Sequence, residues 1–202
     1  MDKFIKETGI AAPYLAHNID TDVIMPKQFL KRIDRAGLAE GVLYDQRFLS
    51  EGVPNPEFIL NQEDWQDSKF LVVGDNFGCG SSREYAVWGI QQLGIRAIVG
   101  TSFAGIFFDN CQRNGVLLIS LSPTQRDEIG ITVASAESHQ IEIDLQQQTI
   151  TTQAGKVYQF EIDPLRKEAL LSGQDTIGET LTMKPLIDEF EKAHLAASPW
   201  LA

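Results

Sequence analysis

Apolar and polar positions divide the chain into three stretches of different rhythm. Between 68 and 121, short unbroken apolar runs alternate with longer amphipathic segments. Phe70-Leu71-Val72-Val73 ends at Gly74 and has the pattern of a strand buried on both faces. Ser82 to Leu93 carries helical spacing and stops at Gly94, and Ala97-Ile98-Val99 is a second buried run closed by Gly100. Phe103 to Asn114 predicts a second helix with Gly115 placed as its C-terminal cap, and Val116-Leu117-Leu118-Ile119 a third strand. Strands and helices alternating in this way predict a βαβαβ unit with parallel strands and right-handed crossovers.

The flanks are different. Up to about residue 65 the apolar runs are short and broken by Pro13, Pro26, Gly37, Gly41, Gly52, Pro54 and Pro56, which predicts short strands and long functional loops. Beyond the central unit, Ser122-Pro123 is a helix start with proline at the first helical position. Gln140 to Leu145 and Val157 to Phe160 alternate as strands, joined through a turn at Ala154-Gly155. Pro164 to Leu171 reads as a helix capped by Gly173, and Lys184 to Ala197 as a final helix. The expected fold class is α/β with a mixed sheet, in a single domain spanning 1–202 with a C-terminal helical extension.

Composition narrows the function. The 202 residues carry a formal net charge of −11, a field that repels phosphate backbones and argues against a nucleic-acid partner. An anionic ligand must then be held by a local group of donors. No apolar run approaches the roughly 20 residues needed to span a bilayer, so no membrane role is expected. The opening MDKFIKETGI has no apolar segment of the secretory type, and two cysteines make no disulfide framework; a cytoplasmic location is expected.

The candidate chemistry gathers in Asn76 to Glu84, which reads NFGCGSSRE. A Walker phosphate loop needs a lysine directly after its last glycine, and there is none. A dinucleotide fingerprint requires a third glycine where Arg83 stands. Cys79 as a nucleophile requires a base, and none of His17, His139 and His194 stands in the context of a cysteine hydrolase, so a small residue packed in a tight turn is the plainer reading. Two cysteines without a histidine grouping do not supply a tetrahedral metal site. Ser81-x-x-Glu84 has the spacing of a capping box. The same segment also suits an anion: Gly78 and Gly80 permit close backbone approach, helix amides point outward, and Arg83 adds a bidentate fork. A serine oxygen held there gains stabilisation as an alkoxide.

The segment GDNFGCGSSREYAVWGI together with NIDTDVIMPKQFL (Asn18 to Leu30) resembles the small subunits of 3-isopropylmalate dehydratase, which correspond to the swivelling β/β/α domain of aconitase. Ser102-Phe103-Ala104-x-Ile106-Phe107 with Asn110, and Asp175-x-Ile177-Gly178-x-Thr180-Leu181, extend the likeness over nearly the whole chain. The resemblance implies that Ser81 is the catalytic base, that Arg83 binds a substrate carboxylate and that Ser82 assists, with Gly80 in the substrate site. It implies that Asp22 orients Ser81, Arg83 or a second arginine; Asp20, read from its own residue type, orders its loop as an Asx turn. His17, Asp20 and Asp22 could in principle hold a divalent ion, but no metal site is expected in this chain. Lys31 to Leu38 corresponds to the substrate-recognition loop, with Arg35 on a second carboxylate and Leu38 on an alkyl group; Arg32 reads equally well as a surface charge.

Chemistry of this type uses a [4Fe-4S] cluster with three cysteine ligands, and this chain has only two cysteines. The resemblance therefore implies no cofactor bound by this chain, a cluster-bearing large subunit as partner, and a small dicarboxylate as substrate. The expected activity is interconversion of 2- and 3-isopropylmalate in leucine biosynthesis. The alternatives are a homoaconitate, citraconate or maleate-type hydratase subunit, or a non-catalytic carboxylate-binding module. A chain separated from its partner could also form homo-oligomers through apolar partner-facing surface.

Overall fold

The computed structural model describes residues 1–31 and 35–201. The first half contains β1 (Lys6–Tyr14), α1 (Thr21–Ile24), α2 (Tyr44–Arg47), β2 (Phe48–Ser50), β3 (Val53–Pro54), β4 (Phe70–Val73) and α3 (Glu84–Gln92). There follow β5 (Ala97–Gly100), α4 (Gly105–Asn114), β6 (Leu117–Ser120), α5 (Pro123–Ser135), β7 (Gln140–Asp144), β8 (Thr149–Thr152) and β9 (Val157–Gln159). The chain finishes with α6 (Pro164–Ser172), α7 (Thr176–Thr182) and α8 (Lys184–Ala197). Short 3₁₀ turns fill the loops, including one at Leu38–Gly41.

The main sheet runs β6-β5-β4-β1-β7-β8-β9. Its β1, β4, β5 and β6 are parallel, and β1 turns antiparallel against β7. The mixed α/β architecture therefore agrees with the sequence pattern. Alternate residues of the buried strands feed two separate cores. Leu71, Val73, Ile98 and Leu118 face one layer with Val87 and Ile90 of α3 and Phe107 of α4. Phe70, Val72, Ala97, Val99, Leu117 and Ile119 face the other with Ile129 and Val133 of α5. Each such side chain contributes roughly 1.5–3 kcal/mol by leaving water, and that double burial is why these strands lack polar alternation.

The N-terminal third differs from expectation. Beside the short strands β2 and β3 it supplies β1, nine residues long and central in the sheet. Pro13 is tolerated there for a geometric reason. Ala11 donates its amide to His139 O at 3.0 Å, so the nitrogen two residues on faces the same side. Pairing with β7 ends at Ile10↔Gln140, leaving no carbonyl for Pro13 to miss.

A second correction lies between 140 and 160. The turn at Ala154-Gly155 joins β8 to β9, and β8 itself was not foreseen. It carries one aliphatic residue, Ile150, and is otherwise threonine, of which Thr152 is buried. Threonine suits a pleated surface through its β-branch, a preference that apolar periodicity does not register. Elsewhere the punctuation agrees with the structure. Ser122 forms a capping box with Gln125, and Gly115 and Gly173 end their helices with φ of 79° and 73°. The terminal helix α8 buries none of its residues. No helix among the described residues is long and apolar enough to cross a membrane.

Candidate active site

Loops leaving the carboxyl ends of β1, β4 and β5 meet where open α/β sheets hold their ligands. Parallel bridges Asp20↔Cys79 and Phe77↔Phe103 tie the three loops together. Asn18 N donates to Asp75 O at 2.9 Å, Gly78 N to Ile19 O at 2.7 Å and Thr21 N to Cys79 O at 2.8 Å. On the other side Asn76 N donates to Ser102 Oγ at 2.9 Å and Ala104 N to Phe77 O at 3.1 Å. The NFGCGSSRE segment thus lies as a strap between the NIDTD and SFA segments.

Left-handed backbone recurs along the strap at Asn76, Gly78 and Gly80, with φ of 56°, 78° and 92°. Gly78 admits no side chain, because a Cβ there would stand 2.2 Å from the Phe107 ring. At Gly80 the nearest atom to such a Cβ is Asp20 Cβ at 3.2 Å, so the strap also passes close to the start of α1.

The expected capping box does not form. Helix α3 begins at Glu84, with Arg83 at the N-cap and no side-chain cap. The Ser81 hydroxyl lies 2.7 Å from Thr21 Oγ1, and Glu84 Oε1 accepts from Asn114 Nδ2 at 2.7 Å. Partners distant in sequence hold both groups, so the local S-x-x-E spacing misleads. Ser82 is exposed, and its carbonyl accepts from Asn110 Nδ2 at 3.3 Å.

Asp20 caps α1, its Oδ1 accepting from Val23 N at 2.8 Å, which gives it the loop-ordering role read from sequence. Asp22 pairs through Oδ1 with Arg83 Nη1. That hydrogen bond, reinforced by the guanidinium charge, holds the Asp22 carboxyl below its ordinary value of 3.8. A lowered folded-state value makes the pairing fully present above the ordinary value and lost as pH falls through the folded one. We expect carbon-detected NMR of the Asp22 carboxyl to titrate below the normal aspartate range, and Arg83→Gln to return it to that range. An Asp22 titration unchanged by Arg83→Gln would remove the ion pair from the description. His17 turns elsewhere: its Nδ1 accepts from Asp75 N at 3.0 Å.

Arg35 and Leu38 part company. The Arg35 guanidinium lies 3.9 Å from the centroid of the Trp88 ring, a cation–π stack, and its carbonyl accepts from Gln92 Nε2. Gln92 Oε1 accepts from Leu38 N at 2.8 Å, so one side chain grips both ends of the turn. Leu38, expected to touch an alkyl group, is instead 0% exposed and packs in the core with Met25 and Val42. Its apolar character serves burial, which is why a substrate contact and a core position look alike in sequence. Arg32 lies outside the described residues.

Sequence reasoning missed three groups. Thr21 stands in NIDTD beside Asp22 with no role of its own in the sequence pattern, and Trp88 and Gln92 lie within the helix that the spacing of 82–93 predicts. Trp88 Nε1 donates to Asn114 Oδ1 at 3.0 Å, and Asn114 also binds Glu84. Arg35 is therefore linked to the SSRE segment through Trp88 and Asn114.

A family model described as the aconitase C-terminal domain matches residues 1–124, and a second, described as LeuD_N, matches 132–164. A 3-isopropylmalate dehydratase small subunit 1 from Mannheimia succiniciproducens is 58% identical, aligned over 100% of this chain and 99% of its own. The chain belongs to the 3-isopropylmalate dehydratase small-subunit family. Another member of that family, small subunit 2 of Salmonella typhimurium, is 52% identical over 100% of this chain and 96% of its own. The crystal structure of a 3-isopropylmalate dehydratase (leuD) from Methanocaldococcus jannaschii matches with TM-score 0.67 and 28% identity, covering 93% of this chain and 99% of that one.

Family membership raises the question of an iron–sulfur cluster. The donors here do not fit one. Cys111 is wholly buried in the core, where desolvation pushes its thiol well above the ordinary value. Cys79 is half-buried, and the described residues contain no group of three His, Cys, Asp or Glu able to hold a metal.

Proposed function

We propose that this chain is the small subunit of a heteromeric hydro-lyase that interconverts 2- and 3-isopropylmalate by dehydration and rehydration, in leucine biosynthesis. The observation that carries the reading is the strap itself. Ser81 and Arg83, two residues apart, are both fixed by side chains of the neighbouring α1 turn, Thr21 and Asp22. An open loop thereby offers one hydroxyl and one guanidinium in set positions. In the proposed roles Ser81 removes and returns the proton beside a carboxylate, and Arg83 binds that carboxylate. Gly80 and Ser82 shape the approach, and Asp22 keeps the Arg83 fork oriented. Arg35, stacked on Trp88, holds a second carboxylate. An arginine fork held by a carboxylate on one nitrogen still has donors left for a substrate.

The cluster that acts on the departing hydroxyl belongs, in this proposal, to a large-subunit partner. The donor set of this chain supports that division, and so do the small-subunit names of its relatives. Binding of substrate is shared across the interface, so the isolated chain is expected to be inactive. The test is anaerobic: the purified chain is mixed with cluster-reconstituted large subunit, and alkene absorbance is followed from 2- and 3-isopropylmalate. Activity in the mixture and in neither chain alone is expected. Activity on homoaconitate or citraconate in place of isopropylmalate would move the substrate assignment and keep the chemistry. Silence on all of them with an intact cluster would overturn the proposal.

A further inference from the structure

We infer that Thr21 is a positioning residue for the serine base, its hydroxyl donating a hydrogen bond to Ser81 Oγ; the inference rests on the role proposed for Ser81 above. Thr21 is 1% exposed and is the first residue of α1, fixed by the Asp20 cap and by its own amide bond to Cys79 O at 2.8 Å. Three polar atoms of Ser81 surround its hydroxyl oxygen. Ser81 N donates to it at 3.0 Å, Ser81 Oγ lies 2.7 Å away, and Ser81 O lies 3.5 Å away.

A threonine hydroxyl has one proton and two acceptor positions. The amide of Ser81 takes one acceptor position. If Ser81 Oγ took the other by donating, the threonine proton would be left with the carbonyl at 3.5 Å, beyond ordinary O–H···O length. If the threonine donates to Ser81 Oγ, its proton sits in a bond of 2.7 Å, near the preferred distance. The second arrangement satisfies the buried hydroxyl better, and it leaves the Ser81 proton directed away from Thr21.

The consequence falls on proton transfer. In the eliminating direction Ser81, as alkoxide, takes the C–H proton and becomes a hydroxyl. The C–H electron pair becomes the second bond of the alkene as the C–O bond of the neighbouring carbon breaks and hydroxide departs. Ser81 then returns its proton to solvent, so the net change is substrate to alkene and water. An O–H···O⁻ bond is shorter and about twice as strong as its neutral counterpart, so Thr21 favours the alkoxide over the hydroxyl. Because the bond raises the share of Ser81 present as alkoxide and touches no substrate atom, the gain appears in turnover below the acid limb and leaves binding unchanged.

Among the described residues, the charged and titratable side chains of the segments that hold Ser81 are Asp20 and Asp22 of the NIDTD segment, Cys79 and Arg83 of the strap, and Glu84 at the start of α3. Asp20 is engaged by Val23 N, Asp22 by Arg83, and Glu84 by Asn114. Substitution at Thr21 leaves each of these in place.

The test uses the chain assembled with its cluster-loaded large subunit and 3-isopropylmalate. At pH below the acid limb Thr21→Val is expected to lower kcat by about 10-fold, the loss of ionised base that a limb moved by about one pH unit produces, with KM within about twofold. The acid limb of the kcat–pH profile should move to higher pH, because a base without its donor holds its proton longer. Thr21→Ser should restore both kcat and the limb. A merely structural role predicts a slower enzyme whose limb stays in place, and that result in Thr21→Val would overturn the inference. Should Thr21→Val fail to fold, Thr21→Cys replaces it with a weaker donor, and an unshifted limb there is equally decisive against the inference. Ser81→Ala run in parallel separates the two claims. If it retains activity, the base assignment itself fails. If it is inactive while the Thr21 limb does not move, only the inference falls.

Discussion

Ser81→Ala, assembled with the large subunit, is expected to turn over about 1,000-fold more slowly than the native complex while its KM stays close to native. A positioned general base contributes roughly 10²–10⁴-fold, and Ser81 carries the hydroxyl that Thr21 holds in the strap. KM is preserved because Arg83 keeps its own support: the Asp22 ion pair does not pass through Ser81. The fold should tolerate the change. The backbone amide of residue 81 still donates to Thr21 Oγ1 at 3.0 Å, so only the bond between the two hydroxyls is lost. One such bond is worth about 1 kcal/mol, or a fall in Tm of roughly 2–4 °C for a chain of this size. Steady-state kinetics beside a thermal melt check both halves. Near-native turnover in a folded, assembled variant would remove Ser81 as the base.

Gly78→Ala is expected to have the largest effect on stability. Two costs combine there. A left-handed φ of 78° is strained for alanine, by about 1 kcal/mol. The added methyl would also stand 2.2 Å from Phe107 Cγ, on a ring that is 1% exposed and packed edge-on against Phe77. Overpacking of that kind costs about 1–3 kcal/mol more. Asn76, with φ of 56° in the same strap, shows that backbone strain alone is tolerable, so the Phe107 contact decides the outcome. The sum of about 2–4 kcal/mol corresponds to a fall in Tm of roughly 5–15 °C. Activity should drop below the melting range as well, because moving residue 78 shifts Ser81 three positions on. Gly78→Ala combined with Phe107→Leu should recover part of the stability lost to the clash. A Gly78→Ala single variant that melts at the native temperature would show that the strap does not pack on Phe107 as described.

What the sequence carried well was local or periodic. The βαβαβ unit could be read because Phe70 to Val73, Ala97 to Val99 and Leu117 to Ile119 are buried on both faces and so stay apolar without alternation. Gly115, Gly173 and Ser122 mark helix ends through backbone conformations and caps that involve near neighbours alone. What it carried poorly depended on partners far along the chain. Pro13 breaks the apolar pattern of central β1, so the sequence predicts shorter strands there, and only the early end of β7 makes the proline harmless. Leu38 looked like a ligand contact and is a core residue.

The site divides along the same line. The sequence by itself determined the chemical inventory: a hydroxyl at Ser81, a fork at Arg83, glycines at 78 and 80, acids at 20 and 22, and too few cysteines for a cluster. Tertiary structure alone decided what each group is bonded to. Ser81 turned from Glu84 to Thr21, 60 residues away, Asp22 went to Arg83, and Arg35 went to Trp88. The reason is physical. A backbone conformation or an apolar period is set within a few residues, whereas a hydrogen bond selects whatever donor the folded chain brings to 3 Å, and that choice belongs to the packing of the whole sheet.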